Sequence, residues 1–509
     1  MALLFSRQRL IPLRNLTTRF RGASAPLCRG LATSAQSIGW QKTGPHKYIR
    51  SLDAIERSLK YVYDDLAPPG IRSQDILTTA HINLDRGPTL EPVIFETLMR
   101  RAWARVSLLH PAVAATFLGD GFEYSVPQDE REIQTWVAKS FVVKDTQFRN
   151  SDASNSPASP SALFKDLTIV PPEPHPIMYY FRQDKTLVLR TPHIYTDGTG
   201  TLMLLNDFLT ELSSLLEGDY AATANIELRL SETDIVKKLP LSSIAVASIP
   251  TVSSAQLQAL LPDIGLNLTQ NREAIQFPIH NLKTSSTDPG AGRLRAFKLN
   301  ADETAAIIRS GKRTGLGFTA LVHAAILHAG QGLSPGAPVP NDINTHTTLT
   351  GFKFRDRCSL DSPNAGERAF ISRVSLWPFK VQLSNDIWET ARCLKAQYTT
   401  LAEQKDFIIP ASVRFMQEGL PKFADNLDAS FFASFPGDLT TIVRQRYGRI
   451  NVQGLGLSLI TTTPMMLLVV QSFGGEMEIR LTYSPASHED EKVYEFLQVI
   501  RSKLAIIRG

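Results

Sequence analysis

Residues 186–198 read TLVLRTPHIYTDG and change character halfway along. The first four are apolar or β-branched and predict a short strand, which a second predicted strand at 177–182 precedes. Residues 201–216 carry leucines at helical spacing and predict an amphipathic helix. The motif His193-x-x-x-Asp197-Gly198 therefore occupies a tight turn between a strand and a helix. This order of strand, turn and helix places His193 at the end of a predicted strand and Gly198 before a predicted helix.

The motif supplies the groups that a general base requires. An imidazole has an unperturbed pKa of about 6.5, so His193 can accept a proton near neutral pH. Transfer of an acyl group from a thioester to a hydroxyl needs such a base, because a neutral alcohol is a poor nucleophile. We expect Asp197 to brace the loop and Gly198 to allow a sharp backbone turn. The alternative is a histidine satisfied in a loop that contains an Asx turn.

The length of 509 residues predicts two domains. A turn-rich segment at 283–292, KTSSTDPGAG, is the predicted linker. It separates an N-terminal domain at 40–282 from a C-terminal domain at 293–509, in which strands and helices begin again. The second domain ends with two strands joined at Gly474-Gly475, followed by a closing helix.

Residues 1–39 differ from the remainder in charge, with six arginines and no acid. This leader predicts a mitochondrial presequence, and a disordered tail is the alternative. The protein is accordingly expected inside the cell, in the mitochondrion if the leader is a presequence and otherwise in the cytoplasm. Outside the leader, 48 basic residues nearly match 49 acidic ones, which argues against a nucleic-acid-binding surface.

Composition argues against two other classes of protein. The chain has no uninterrupted run of about 18 apolar residues, so no membrane span is predicted. Its three cysteines are too scattered for a disulfide framework or a zinc cluster, and no metal is expected. His323 and His328 lie five residues apart on an apolar helix, a spacing that favours core or channel-lining positions over shared metal ligation.

Several segments around the motif resemble those of the CoA-dependent acyltransferase superfamily, which includes chloramphenicol acetyltransferase, the plant BAHD enzymes and condensation domains. His110-Pro111-Ala112 is similar to an early family segment, and residues 297–325 are similar to the opening of its second half. Residues 434–439, SFPGDL, and 475–483 resemble a family loop and its terminal strand. Within the superfamily the chain resembles fungal secondary-metabolite O-acetyltransferases, such as trichothecene 15-O-acetyltransferase.

The resemblance implies an α/β fold of the α+β type. It consists of two chloramphenicol-acetyltransferase-like domains, each a mixed sheet flanked by helices, with the active-site channel between them. His193 is then the general base, and Asp197 points away from the substrate to pair with an arginine of the second half. Arg355 is the best match for that arginine and Arg357 is the alternative. Both arginines could instead be exposed charges at the end of a strand.

The resemblance also implies an O-acyltransferase, most simply an O-acetyltransferase, that uses acyl-CoA as co-substrate and holds no bound cofactor. The acceptor is expected to be a hydroxylated secondary metabolite such as a terpenoid or polyketide, and the chain is expected to act as a monomer. Ser434 and the backbone at Gly437 are candidates for contacts with the oxyanion, although this segment could simply be a turn. Tyr195 could face the acceptor pocket or pack as a core aromatic.

Two alternatives stay open, an ester- or amide-forming enzyme with a carrier-protein-bound donor, and a non-catalytic homologue. Condensation domains usually carry two adjacent histidines, whereas Pro192 precedes His193 here. The plant signature DFGWG is absent from the sequence. Lipoyl-dependent acyltransferases carry the same motif close to their C-terminus, whereas here more than 300 residues follow Gly198.

Overall fold

The computed structural model describes residues 39–61, 75–85, 91–145, 175–218, 231–260, 292–333, 345–358, 366, 368–426, 431–461 and 465–509. The described helices are α1 (Ala54–Lys60), α2 (Pro92–Leu109), α3 (Glu130–Ser140), α4 (Gly198–Glu217), α5 (Glu232–Val236), α6 (Ser243–Val246), α7 (Ser254–Leu260), α8 (Ala301–Thr314), α9 (Phe318–Leu333), α10 (Ile387–Glu403), α11 (Lys405–Asn426) and α12 (Asp490–Arg508). The first eight strands are β1 (Gln41–Gly44), β2 (Lys47–Ser51), β3 (Asp75–Leu84), β4 (Thr116–Leu118), β5 (Gly121–Ser125), β6 (Phe141–Lys144), β7 (Ile177–Phe181) and β8 (Thr186–Pro192). The others are β9 (Arg293–Leu299), β10 (Thr345–Lys353), β11 (Val374–Gln382), β12 (Phe431–Asp438), β13 (Arg446–Tyr447), β14 (Ile450–Leu459), β15 (Met466–Phe473) and β16 (Glu476–Tyr483).

The first large sheet has six strands in the order β13-β14-β3-β8-β7-β6. Its neighbours are antiparallel except for β6 and β7, which are parallel. Every residue of β8 is buried, because both faces of the sheet are covered. On one face Trp103 of α2 and Phe208 of α4 meet edge to face within the larger core cluster. The apolar spacing of these two helices thus fixes them on the sheet whose central strand leads into the motif.

The second large sheet has four strands in the order β12-β15-β16-β9. Its two C-terminal strands form a hairpin at Gly474 and Gly475, whose φ angles of 61° and 86° suit the primed turns that join twisted strands. Helices α8, α9, α10 and α12 pack on it through a separate core cluster. A smaller sheet, β1-β2-β5-β4, and the hairpin β10-β11 complete the sheets of the described residues.

Each half of the chain does not build one large sheet by itself, because the first sheet also contains strands from the second half of the chain. Strands β13 and β14 follow β12 in sequence but join the first sheet, where β14 runs antiparallel to β3. The Gln471 side chain on β15 then ties the sheets together, since its Oε1 accepts from Leu457 N of β14 at 2.9 Å. In the same way, α1 packs against α11 through a further apolar cluster. The halves of the chain are therefore interlocked.

The fold class expected from the sequence is confirmed: mixed sheets flanked by helices form a two-part α/β structure. The strands and the helix predicted around the motif occur within a few residues of their predicted ends, and the predicted hairpin at Gly474-Gly475 and closing helix are also present. Residues 434–438, expected in a loop, instead belong to strand β12, which has an irregular register between Ser434 and Gly437. Residues 1–38 and 261–291 lie outside the described part, so the presequence and the division at 283–292 stay predictions. No described helix is both long and apolar enough to cross a membrane.

Candidate active site

A cavity of about 660 Å³ opens where the two large sheets, the β10-β11 hairpin and the α10-α11 corner meet. His193 lies on its wall. Most of the remaining wall is apolar and comes from both halves of the chain. The large apolar lining residues are Ile76, Phe352, Val374, Leu401, Ile408, Ile409, Phe435, Leu457, Leu459 and Val469. Such a site suits a substrate with substantial apolar surface.

The side chain of His193 is held at the first residue after β8. It is half-buried, and its Nδ1 atom is enclosed without a hydrogen-bond partner among the described residues. The other ring nitrogen, Nε2, is therefore the one that reaches the cavity. Burial lowers the pKa of His193, and the His193 backbone and the Asp197 carboxylate oppose this shift only in part. The imidazole is thus neutral near pH 7 and able to accept a proton.

Asp197 begins helix α4 as its N-cap, a role that its short carboxylate fills well. Its Oδ1 accepts from Gly200 N at 2.8 Å, and its Oδ2 accepts from Arg373 N at 2.8 Å. Burial raises the pKa of Asp197, but the Arg355 charge and these hydrogen bonds outweigh burial and hold the pKa below its ordinary value. The carboxylate is fully engaged with protein groups.

Arg355 is buried directly beneath the motif, with 1% of its surface exposed. Its Nη2 donates to Asp197 Oδ1 at 2.8 Å and to the carbonyl of Ile371 at 2.8 Å. Its Nη1 donates to the carbonyl of Ala369 at 3.1 Å. The structure therefore brings Arg355 and Asp197 together. Arg357 pairs instead with Asp406 on α11.

Residues 369–373 form a backbone clamp around the motif that the sequence did not reveal. Carbonyls of this segment receive Arg355, and the N–H of Arg373 donates to Asp197. Thr196 Oγ1 also donates to the carbonyl of Ile371, at 3.2 Å. Every residue carries these backbone groups, so no residue type in the segment indicates the contacts. The clamp links the His193 turn to the second half of the chain.

Gly198 and Gly200 begin helix α4, and each is restricted by the space around its Cα rather than by its backbone angles. We expected Gly198 to provide a sharp backbone, but its φ is not positive, and it begins a regular helix. A Cβ at Gly198 would lie 3.2 Å from Leu457 Cδ1. At Gly200 a Cβ would overlap Thr196 Oγ1 and lie 2.7 Å from Arg355 Nη2. Gly200, which sequence analysis missed, is therefore the more restricted of the two.

The three weaker candidates separate in the structure. Ser434 lies on the cavity wall and is half-buried. Gly437 is exposed, has a φ of 88° and is not part of the wall. Tyr195 is a core residue, because its hydroxyl donates to the carbonyl of Ala115 at 2.9 Å and its ring meets Phe122 edge to face. A contact of Tyr195 or Gly437 with a substrate in this cavity is thus not supported.

Polar residues other than His193 also line the cavity: Asp197, Thr199, Thr319, Thr350, Lys353, Tyr398, Lys405, Ser434 and Ser458. Tyr398 of α10 reaches the cavity, and its hydroxyl lies 2.7 Å from Nδ1 of the buried His323. Lys353 and Lys405 also line the cavity, and Lys405 pairs with Asp356. Asp197 is the carboxylate on the wall, and Arg355 neutralises it. The site therefore presents one imidazole base, hydroxyl groups and cationic side chains to a bound molecule.

No family model matches the chain. Among proteins of similar sequence, acetyltransferase pigO of Monascus ruber is 23% identical over 91% of this chain and 97% of its own length. O-acetyltransferase pigM of Monascus ruber is 22% identical over 56% of this chain and 51% of its length. A third relative carries a different description: Loline biosynthesis cluster 1 transcription factor lolU1 of Epichloe uncinata, 20% identical over 92% of this chain and 96% of its own length.

Solved structures match over nearly the whole chain. TRI3 trichothecene 15-O-acetyltransferase from Fusarium sporotrichioides superposes with a TM-score of 0.75 at 14% identity, covering 93% of this chain and 98% of that protein. The epimerization domain of tyrocidine synthetase B matches with a TM-score of 0.57 at 15% identity, over 92% and 99% of the two chains. The resemblance expected from the sequence is thereby confirmed: this chain shares its fold with TRI3 trichothecene 15-O-acetyltransferase and with the epimerization domain, and it is similar in sequence to fungal acetyltransferases.

Proposed function

We propose that the protein is an O-acyltransferase that moves an acyl group, most simply acetyl, from acyl-CoA to a hydroxyl of a small apolar acceptor. The observation that carries this proposal is the half-buried His193, held at a strand-to-helix turn and facing a cavity built by both halves of the chain. The names of the relatives pigO and TRI3 support the reaction class.

In the proposed reaction the acyl group passes directly from the donor to the acceptor, and no residue of the protein is acylated. Nε2 of His193 removes the proton from the acceptor hydroxyl while the hydroxyl oxygen attacks the thioester carbonyl carbon. The resulting tetrahedral intermediate collapses as the carbon–sulfur bond breaks. The sulfur leaves with the electron pair of that bond and takes the proton back from the imidazolium. An ester and free CoA are the products, and His193 is neutral again.

Asp197 and Arg355 would act on His193 through position. Neither carboxylate oxygen of Asp197 is available to a substrate, because each accepts hydrogen bonds from protein groups. Their contacts hold the start of α4 against residues 369–373. Since a misplacement of about 1 Å can cost about a hundredfold in rate, such bracing contributes to catalysis without contact with the reacting atoms.

The cavity wall supports an acceptor with a large apolar body. Its aliphatic and aromatic residues outnumber its hydroxyl and charged groups. A hydroxylated terpenoid or polyketide of fungal secondary metabolism would fit such a wall. The name of TRI3, a trichothecene 15-O-acetyltransferase, supports the same class of acceptor. The co-substrate would be acyl-CoA in the same cavity.

The test is acyl transfer by the purified full chain. Acetyl-CoA would be incubated with a panel of hydroxylated terpenoids and polyketides, and CoA release and ester formation would be followed together. We expect turnover by the wild type and a loss of about a hundredfold or more in His193→Ala, as for removal of a general base. Equal turnover by both proteins would remove His193 from the reaction. Transfer from an acyl carrier protein but not from acyl-CoA would favour the condensation-type alternative, and no transfer from either donor would favour a non-catalytic homologue.

A further inference from the structure

A second cavity, of about 360 Å³, borders the clamp of residues 369–373. It shares no lining residue with the cavity of His193. The end of α2, the middle of α4, the segment after α5 and the first residues of the clamp build its wall. Because a water molecule takes up about 30 Å³ of liquid, the second cavity has room for a small organic molecule.

Basic groups outnumber acidic groups on this wall. Lys238, Arg368 and His110 line the second cavity, and Asp207 is the one acid among its lining residues. Both carboxylate oxygens of Asp207 are engaged, since Oδ1 accepts from Arg368 Nη2 and Oδ2 lies 2.8 Å from His110 Nε2. Burial raises the pKa of Asp207, but the His110 hydrogen bond and the Arg368 charge outweigh burial and hold the pKa below its ordinary value. The wall therefore keeps a positive charge after its carboxylate has been paired.

Lys238 supplies the unpaired charge. Its side chain is half-buried, and its Nζ donates to the carbonyl of Leu108 near the end of α2, at 3.3 Å. An ammonium group carries three N–H donors, so this bond leaves capacity for a ligand. Burial lowers the pKa of Lys238, and the charge of Asp234 opposes this shift only in part. Such a balance is expected of a cation without a close carboxylate partner, and an anion beside it would provide one.

Apolar groups form the rest of the wall. Leu109 is 41% exposed at the end of α2, and Ala112, Pro240 and Phe370 line the same cavity. Small-molecule sites combine such apolar walls with a few polar groups that fix the orientation of the ligand. A ligand that matches both kinds of group carries an anionic head and a short apolar body.

We propose that the second cavity binds a small organic anion, whose carboxylate or phosphate head is held by Lys238 and Arg368 and whose apolar body contacts Leu109. This site does not depend on the proposed acyl transfer. Ala369 also belongs to its wall, and the carbonyl of Ala369 accepts from Arg355 beneath the His193 turn. A bound anion therefore contacts the segment that holds Arg355.

The test is calorimetry of the purified full chain with four ligands. Hexanoate and hexyl phosphate carry the two head groups on the same apolar body, hexanol lacks the charge, and inorganic phosphate lacks the apolar body. We expect at least one of the two organic anions to bind more tightly than hexanol and inorganic phosphate. The tighter of the two anions then identifies the head group.

Substitutions locate the binding. Lys238→Gln and Arg368→Gln should each weaken binding of that anion by about tenfold, the worth of one hydrogen bond between charged groups. Lys237→Gln is the matched control, because Lys237 is the next residue along the chain, is exposed and is not part of the wall. It should keep the Kd of the wild type. The Arg368 side chain is 58% exposed, so Arg368→Gln gives the answer even if Lys238→Gln lowers the thermal midpoint.

Hydrogen exchange gives an independent location. With the anion bound, the amides of residues 368–370 should exchange more slowly than in the free protein. Protection confined to the cavity of His193 would place the anion there and overturn the proposal. Equal Kd values for Lys238→Gln, Arg368→Gln and Lys237→Gln would overturn it too, and so would equal binding of hexanol or no binding of either organic anion.

Discussion

Arg355 and Asp197 are 158 positions apart in sequence, and they meet through hydrogen bonds from Nη2 at 2.8 Å and from Nε at 3.3 Å to the same carboxylate oxygen. The contact joins the N-cap of α4 to Arg355, which lies two residues after the end of β10. It also buries both charges almost completely. A buried pair of this kind is costly to break from one side, since the remaining charge is left without compensation.

Arg355→Lys should separate charge from shape. Lysine keeps the positive charge but cannot reach Asp197 and the carbonyls of Ala369 and Ile371 together. We expect the free energy of unfolding to fall by about 1–3 kcal/mol, the cost of unsatisfied buried polar groups. If the proposed acyl transfer uses His193 as its base, kcat should fall with little change in KM, because only the position of His193 is disturbed.

Chemical denaturation and steady-state kinetics check this prediction, with Arg357→Lys as the control. Arg357 is a cation of the same short segment that pairs with Asp406. If the two variants behaved alike, the position of Arg355 beneath the motif would have no special importance.

The pH dependence of kcat/KM should report the neutral imidazole. Because burial lowers the pKa of His193, the acid limb should have its midpoint below the ordinary value of 6.5. Activity should be constant above that limb and should fall as the imidazole becomes protonated. A midpoint above 6.5 in a full pH profile would contradict the environment described for His193.

Asp197→Asn should remove a pH dependence of stability. The pKa of Asp197 in the folded state is held below the ordinary value of 3.8, so the folded state binds fewer protons than the unfolded state in that range. The stability from the carboxylate is therefore fully present above about pH 4 and is lost as the pH falls through the folded-state pKa. Urea denaturation of both proteins between pH 7 and pH 3 measures the difference, which should shrink toward the acid end. A constant difference would mean that the carboxylate charge contributes nothing.

Gly200→Ala should displace Thr196 and Arg355, which pack against the start of α4. The added methyl group overlaps Thr196 Oγ1 and crowds Arg355 Nη2, and helical backbone cannot shift without moving Asp197. We expect destabilisation of about 1–3 kcal/mol, as for overpacking in a core, together with loss of activity. Gly44→Ala is the control, because a Cβ there lies at an ordinary contact distance of 3.8 Å from Lys47 Cβ. Thermal unfolding of the two variants decides the matter, and equal midpoints would show that the site can relax.

Gln471→Leu should loosen the junction between the sheets. The amide of Gln471 occupies the place of a neighbouring strand for Leu457, and leucine would leave the backbone N–H and carbonyl of Leu457 without this partner. The expected loss is about 1–3 kcal/mol in the free energy of unfolding. The exposed Gln498→Leu should stay within about 0.5 kcal/mol of the wild type. Denaturant titration gives both values, and a neutral Gln471→Leu would show that the junction is held elsewhere.

The sequence indicated those parts of the site that depend on neighbours along the chain. The turn at His193 follows from an apolar strand and a leucine-rich helix on either side, so its position could be predicted. Arg355 required the family resemblance, because nothing near it in sequence indicates a partner in α4. Residues 369–373 act through backbone groups, which any sequence would supply, so no residue type in this segment indicates the contact with Asp197. Tyr195 was ambiguous, since an aromatic side chain next to a motif serves packing as readily as binding.

The crossing of β14 has a consequence for biosynthesis. As the ribosome makes the chain from its N-terminus, β3 and β8 emerge first, and the edge of β3 that β14 later covers stays unpaired until residue 459 has been synthesised. An open strand edge attracts other chains, so the nascent protein passes through a long period in which premature pairing is a hazard. The wall of the cavity that His193 lines is therefore completed late in translation.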